Sequence, residues 1–249
     1  MFTRHRNGLT ATDAALALIP HAEAMEAAAA ALVREASGKD PASPAGTVRI
    51  TASDVVGSEI VPRILVPFRQ RYPGITIELA TSDRVDNLLI RQADIAIRMT
   101  RPDQDALVAK RLGQVPIGLF AHNDYLARYG TPASMDDLAG HALVGFDRDD
   151  SAYRAVKAAG ITIDPAVFRF RTDNNAAQLA AVRAGLCIGG MQSLLAAEMP
   201  QLEPVLPEAF RFNLEMWLVM HEDLRSVHRV RLVFDHLAQS LQPWVAADC

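Results

Sequence analysis

The chain has 249 residues, half of them hydrophobic and 22% charged, with a formal net charge of −4. This composition is ordinary for a soluble globular protein, and no basic excess marks the whole chain as a nucleic-acid binder. No run is long and apolar enough for a membrane span, and Asp13, His21 and Glu23 interrupt the first apolar stretch, which argues against a signal peptide. Cys187 and Cys249 lie too far apart for zinc-ligand spacing, and a reducing, cytoplasmic setting fits them.

The first residues are polar and basic, with Arg4, His5 and Arg6 ahead of Asn7-Gly8. A helix is expected from residue 10 to 36. Thr10 and Asp13 have capping-box spacing, and Thr12 is an equally good cap. Ala15, Ile19, Ala22 and Met25 recur at helical spacing, and an alanine run at 27–31 extends the helix. Pro20 predicts a kink. Residues 37–46, SGKDPASPAG, read as a flexible linker. A helix outside such a linker needs a partner for its apolar stripe, and a second copy of the chain is the simplest one.

From Thr47 the pattern alternates. TVRITAS reads as a strand, residues 58–72 as a helix with Ile60, Ile64 and Phe68 on one face, and ITIELA as a strand. Residues 84–92 read as a short helix leading to the strand ADIAIRM. This β-α-β-α-β order predicts a parallel sheet covered by helices. One or two strands are expected over 107–122. Short helical pieces follow, then strands at 142–146 and 167–172, a helix at 175–184, and a short buried strand LCIGGM. SLLAAEMP reads as a helix stopped by Pro200; the chain closes with the strand 214–221 and an amphipathic helix carrying Val230, Val233, Phe234 and Leu237.

No zinc-protease helix, phosphate-binding loop, dinucleotide fingerprint or serine-hydrolase elbow occurs. Asp147, Asp149 and Asp150 cluster without a ligand pattern, and a solvated loop is expected there rather than a metal site. Polar residues instead gather just past strand ends: Ser53-Asp54, Thr81-Ser82, Arg98 and Asp173-Asn174-Asn175. Ligands of open α/β sheets sit beyond the carboxyl ends of strands. Ser53, Ser82 or Asn174 alone would read as a helix cap; several such residues together predict a cleft for a carboxylate or another anion.

The chain resembles a LysR-type transcriptional regulator lacking most of its DNA-binding domain. Met1-Phe2-Thr3-Arg4 is similar to the family's leucine-phenylalanine-x-arginine phrase, and Ala11-Thr12-Asp13-Ala14-Ala15 to the leucine-threonine-x-alanine-glycine phrase that opens the linker helix. VRITAS, FRQRYPGI, ADIAIRM, KRLG, the TDNN-to-RAGLCIGGM stretch and LRSVHRVRLVFDHL follow in the family's order. The resemblance implies an α/β fold of two Rossmann-like subdomains, as in type 2 periplasmic binding proteins. A wing remnant (1–9), a dimerisation helix (10–36) and a linker (37–46) would precede subdomain I (47–122 and 214–249) and subdomain II (123–213). It also implies a small-molecule effector at Ser53, Asp54, Thr81, Ser82, Arg98, Phe146, Thr172, Asn174 and Gly189. Arg4, His5 and Arg6 would touch the DNA backbone, with sequence read by helices that this chain lacks. A dimer or tetramer paired through Ala15, Ile19, Ala22 and Met25 is expected, with no cofactor and no metal.

Two other readings share the fold. A transporter's solute-binding module would need export, which the first residues do not suggest. An enzyme would need a nucleophile, base or cofactor anchor in the cleft, and the sequence offers only Arg98 beside Asp54, a pair better suited to binding.

Overall fold

The structure is a computed structural model. It describes residues 2–5, 8–19, 21–22, 25, 29, 44–83, 93–102, 107–149, 154, 156–157, 160 and 164–246, with side chains from Ala11 onward except at Pro165. The expected kink at Pro20, the linker up to Ser43 and the short helix at 84–92 lie outside the described residues.

The chain opens with an antiparallel hairpin, β1 (Phe2–His5) and β2 (Gly8–Ala11). The strand thus occupies residues 10 and 11, where the linker helix was expected to begin. Helix α1, residues 13–19, starts after Thr12, whose hydroxyl accepts from the Ala15 N–H at 3.3 Å. Of the two possible caps Thr12 is the one used. A capping oxygen satisfies a donor left over at the helix start.

The main sheet has seven strands. The parallel unit expected from the alternating runs is present: β3 (Gly46–Ala52) lies between β4 (Ile75–Thr81) and β5 (Ile95–Arg98). Between β3 and β4 the helix begins earlier than expected. A π-helical segment, Val56–Ile60, runs into α2 (Val61–Arg71), and the Val61 N–H donates five residues back to Val56. Pro62 sits in the first turn of α2, where no N–H is needed. Ile60 and Phe68 are buried and Ile64 packs on the same core, as the stripe predicted.

Residues 107–122 form one 16-residue strand, β6 (Leu107–His122). After α3 (Asn123–Tyr129) come β7 (Leu143–Gly145) and β8 (Phe168–Arg171), a separate parallel pair. Then follow α4 (Asn175–Arg183), β9 (Gly189–Gln192), α5 (Ser193–Ala196), β10 (Leu202–Val205), β11 (Phe212–His221) and α6 (His228–Ser240). The main sheet runs β10-β6-β11-β5-β3-β4, with β9 also on β6.

Two strands therefore join the halves of the molecule. The first part of β6 pairs with β11, while its last residues, Ile117–His122, pair with β9 and β10. The boundary expected after residue 122 falls at the end of a strand whose second half already pairs with the strands that follow. The larger core lies among β3, β5, β6, β11, α2 and α6 and continues into the second half through Tyr125, Leu138, Leu143, Phe168 and Ile188; the smaller one holds Phe120, Val144, Leu179, Val182, Cys187, Met191 and Leu195. Val55, just past β3, packs into this smaller core and so reaches across the halves. Helix α6 returns to α2, where His236 stacks near Phe68 and its Nε2 donates to the Ile64 carbonyl at 2.6 Å.

Candidate functional site

Two strand ends bring the central polar residues together. Ala52 of β3 is opposite Ile97 of β5, and the next residue, Ser53, donates its N–H to the Ile97 carbonyl at 3.3 Å. Ser53 is 6% exposed and Arg98 3%. The Arg98 guanidinium donates to Ile97 O at 3.1 Å and to the Thr51 hydroxyl at 3.0 Å. Its Nε and the Ser53 Oγ are buried with no hydrogen-bond partner. Among the described residues no carboxylate forms an ion pair with Arg98. Burial pulls its guanidinium below the ordinary value, and the Asp83 charge opposes that.

Across from these strand ends lies the start of α4. The Asn175 N–H donates to Asp54 Oδ2 at 3.3 Å, and the Asn175 amide donates to Asp83 Oδ2 at 2.7 Å. Asp83 Oδ1 in turn accepts from the Asp54 N–H at 3.3 Å. Burial raises the Asp54 carboxyl above its ordinary value, the Asp83 charge and hydrogen bonding add to this, and the Asn175 N–H opposes it. Ser82 and Asn174 are each one residue from the Asp83–Asn175 bond.

The remaining sequence-predicted residues have mixed surroundings. Ser82 is half-buried and its N–H donates to Ala52 O at 2.9 Å. Thr81 is exposed, and its methyl abuts Gly57: a Cβ on Gly57 would come within 2.6 Å of it. Thr172 accepts from the Asn174 N–H at 3.2 Å, and Asn174 caps α4 through Ala177 N at 2.7 Å. Phe146 is half-buried beyond β7. Gly189 faces packed side chains rather than open space, because an added Cβ would lie 2.5 Å from Val182 and 2.6 Å from Val144. The structure therefore brings Ser53, Asp54, Ser82, Arg98 and Asn174 to one region and sets Gly189 into the smaller core.

Asp83 is not among the residues expected at the strand ends, and Asn175 is expected there only as part of the Asp173-Asn174-Asn175 run. Asp83 and Asn175 follow directly on predicted residues, but their bond joins positions 92 apart. The acidic cluster after β7 also has a local explanation. Asp173 accepts from the N–H groups of Asp147, Arg148 and Asp149 at 2.8 to 3.1 Å, and these bonds hold its carboxyl below the ordinary range. Among the described residues no three His, Cys, Asp or Glu side chains gather as a metal site, and no helix could cross a membrane. Cys187 is fully buried, which pushes its thiol up to about 11. Arg4 and His5 lie on β1, whereas Arg6 is outside the described residues. Ala15 is buried; Ile19, Ala22 and Met25 are exposed, as are Leu16 and Leu18.

A curled sheet shared by two cores, with polar strand ends meeting a helix start between them, defines a two-subdomain α/β fold of the type 2 periplasmic-binding kind. Residues 41–242 match the LysR substrate binding domain, and the chain belongs to that family. It is 33% identical over 108 residues to the HTH-type transcriptional regulator CrgA of Neisseria meningitidis, a stretch covering 43% of this chain and 36% of that protein. It is 24% identical over 250 aligned positions to the probable HTH-type transcriptional regulator LtrA of Klebsiella pneumoniae, covering 97% of this chain and 80% of that one. The solved regulatory domain of Neisseria CrgA is similar with a TM-score of 0.70 and 24% identity, over 80% of this chain and all of that one. Full-length Vibrio cholerae AphB follows at 0.68 and 23%, over 96% and 83%.

Proposed function

We propose that this chain is the effector-sensing and pairing part of a cytoplasmic LysR-type transcriptional regulator, and not an enzyme. Subdomain I (47–122 and 214–249) and subdomain II (123–213) hold a small ligand between them, with the end of β6 shared. The effector carries a carboxylate or a similar anionic group. One observation carries this: the Arg98 Nε and the Ser53 Oγ are both buried, unpartnered and on adjoining strand ends. An unmet buried donor costs free energy that a ligand oxygen would recover, and a charge-assisted bond to arginine is the strong form of such a contact. The remaining lining residues are those expected at the strand ends, with Asp83 and Asn175 added.

In the intact regulator DNA is read by a helix-turn-helix. Arg4 and His5 on β1, with Arg6 next in sequence, add salt-dependent phosphate contacts. Pairing runs through the helix that begins at residue 13, giving a dimer or tetramer.

Titration calorimetry with a panel of organic acids, amines and neutral sugars tests the ligand class. A carboxylate ligand should bind, and Arg98→Ala should weaken it by tenfold or more, the scale of about 1.5 to 3 kcal/mol for a hydrogen bond to a charged group. A tight neutral ligand that Arg98→Ala leaves unchanged would overturn the reading.

A further inference from the structure

Helix α4 is fastened to the other half of the molecule at both ends. At its start, Asn175 donates to Asp54 at 3.3 Å and to Asp83 at 2.7 Å. In its last turn, Arg183 pairs with Glu59 of the π-helical segment at 3.1 Å. Between these points Leu179 and Val182 share a core with Val55. Arg63 of α2 also pairs with Glu198, just beyond α5, so a second element of the same half is tied across.

The two ties at α4 differ in character. The Glu59–Arg183 pair is an ordinary, partly exposed ion pair, 24% and 43% exposed, and such pairs hold weakly. The Asn175 tie sets one neutral amide against two carboxylates. Those carboxylates repel each other, while the amide and N–H of Asn175 hold both. The repulsion between the carboxylates offsets part of what these bonds contribute. The tie rests on a few local bonds, unlike the continuous strand β6, which pairs with β11 in the first half and with β9 and β10 in the second.

We propose that Asn175, Asp54 and Asp83 form a polar latch that sets the angle between the two subdomains, with Glu59–Arg183 as its second point of attachment. Helix α4 is the element that lifts when the latch opens, and β6 and β11 are the hinge about which it turns. The use of this motion in sensing rests on the effector-site reading. The latch itself is tested without any ligand.

The experiment is double electron–electron resonance between spin labels at Gln70→Cys on α2 and Ala139→Cys, both exposed positions, in the full chain carrying Cys249→Ser. Cys187 is fully buried and does not take the label. Labelled chain is diluted with unlabelled chain so that only distances within one chain are read. The starting protein should give one narrow distance. Asn175→Ala and Asp83→Ala should shift or broaden it by more than about 2 Å, the scale that separates a rearrangement from side-chain adjustment. Asp83→Asn keeps an acceptor for Asn175 and loses the repulsion, so it should keep the narrow distance. Arg183→Ala, a surface change that leaves the start of α4 intact, should broaden the distance less than Asn175→Ala does, because the pair is partly exposed. An unchanged distribution in Asn175→Ala and Asp83→Ala would overturn the latch, as would equal broadening in Asp83→Asn. An empty ligand panel leaves these distances standing, and a failed latch leaves the Arg98 titration standing.

Discussion

Asp54 shows how one side chain links the site to stability. Its native carboxyl holds a proton to higher pH than the ordinary value of 3.8. Across that window the native state binds more protons than the unfolded chain, so this residue's contribution is full below 3.8 and declines as pH rises through the native value. Asp137, Asp173 and Glu215 are shifted the other way, so their contributions are present at higher pH and decline as pH falls through their native values. The comparison with Asp54→Asn isolates the one group. Urea unfolding from about pH 4 to 7 should show Asp54→Asn gaining on the parent as pH rises. An Asp54→Asn curve parallel to the parent's would mean that neither burial nor Asp83 acts on this carboxyl in solution.

At the scale of elements, the close approach of the π-helical segment to β4 depends on Gly57. A Cβ there would sit 2.6 Å from the Thr81 methyl and 3.3 Å from the Ala52 Cβ. Gly57→Ala should therefore cost about 1 to 3 kcal/mol, as overpacking does, and Thr81→Ser, which deletes that methyl, should return much of the loss in the double variant. Denaturant midpoints of the four proteins give the cycle; additive losses would refute the contact. The elements themselves were largely legible. Alternation in TVRITAS and ITIELA gave β3 and β4, and the Ile60, Ile64, Phe68 stripe gave α2 its buried face. The π-helical start was not legible, because Gly57 and Ser58 read locally as a break before a helix. Nor was β10: Glu203 and Pro204 after Pro200 resemble a loop, and the strand forms because it can pair with the end of β6. The polar strand ends pointed to the region proposed for the ligand. The bond between Asp83 and Asn175 was not legible, since nothing local in the sequence brings positions 92 apart together.

For the whole molecule, the exposed apolar side chains of the first helix set the assembly prediction. Leu16 is 52% exposed, Ile19 46% and Met25 74%, on a segment whose alanines permit close approach to a second helix. Light scattering at tens of micromolar should find the full chain dimeric or larger, and a chain starting at Thr47 should dissociate more readily on dilution. A monomeric full chain would remove the pairing role, and an undiminished dimer after truncation would move the interface to the regulatory domain. The topology has a further consequence for synthesis. Strands β3, β4 and β5 are complete by residue 98, yet the neighbour of β5 is β11, which starts at Phe212. On the ribosome the first subdomain therefore waits, one sheet edge unpaired, until nearly the whole chain has emerged. Such open edges invite association with other strands, so a nascent chain stalled before Phe212 is the form of this protein with most need of a chaperone.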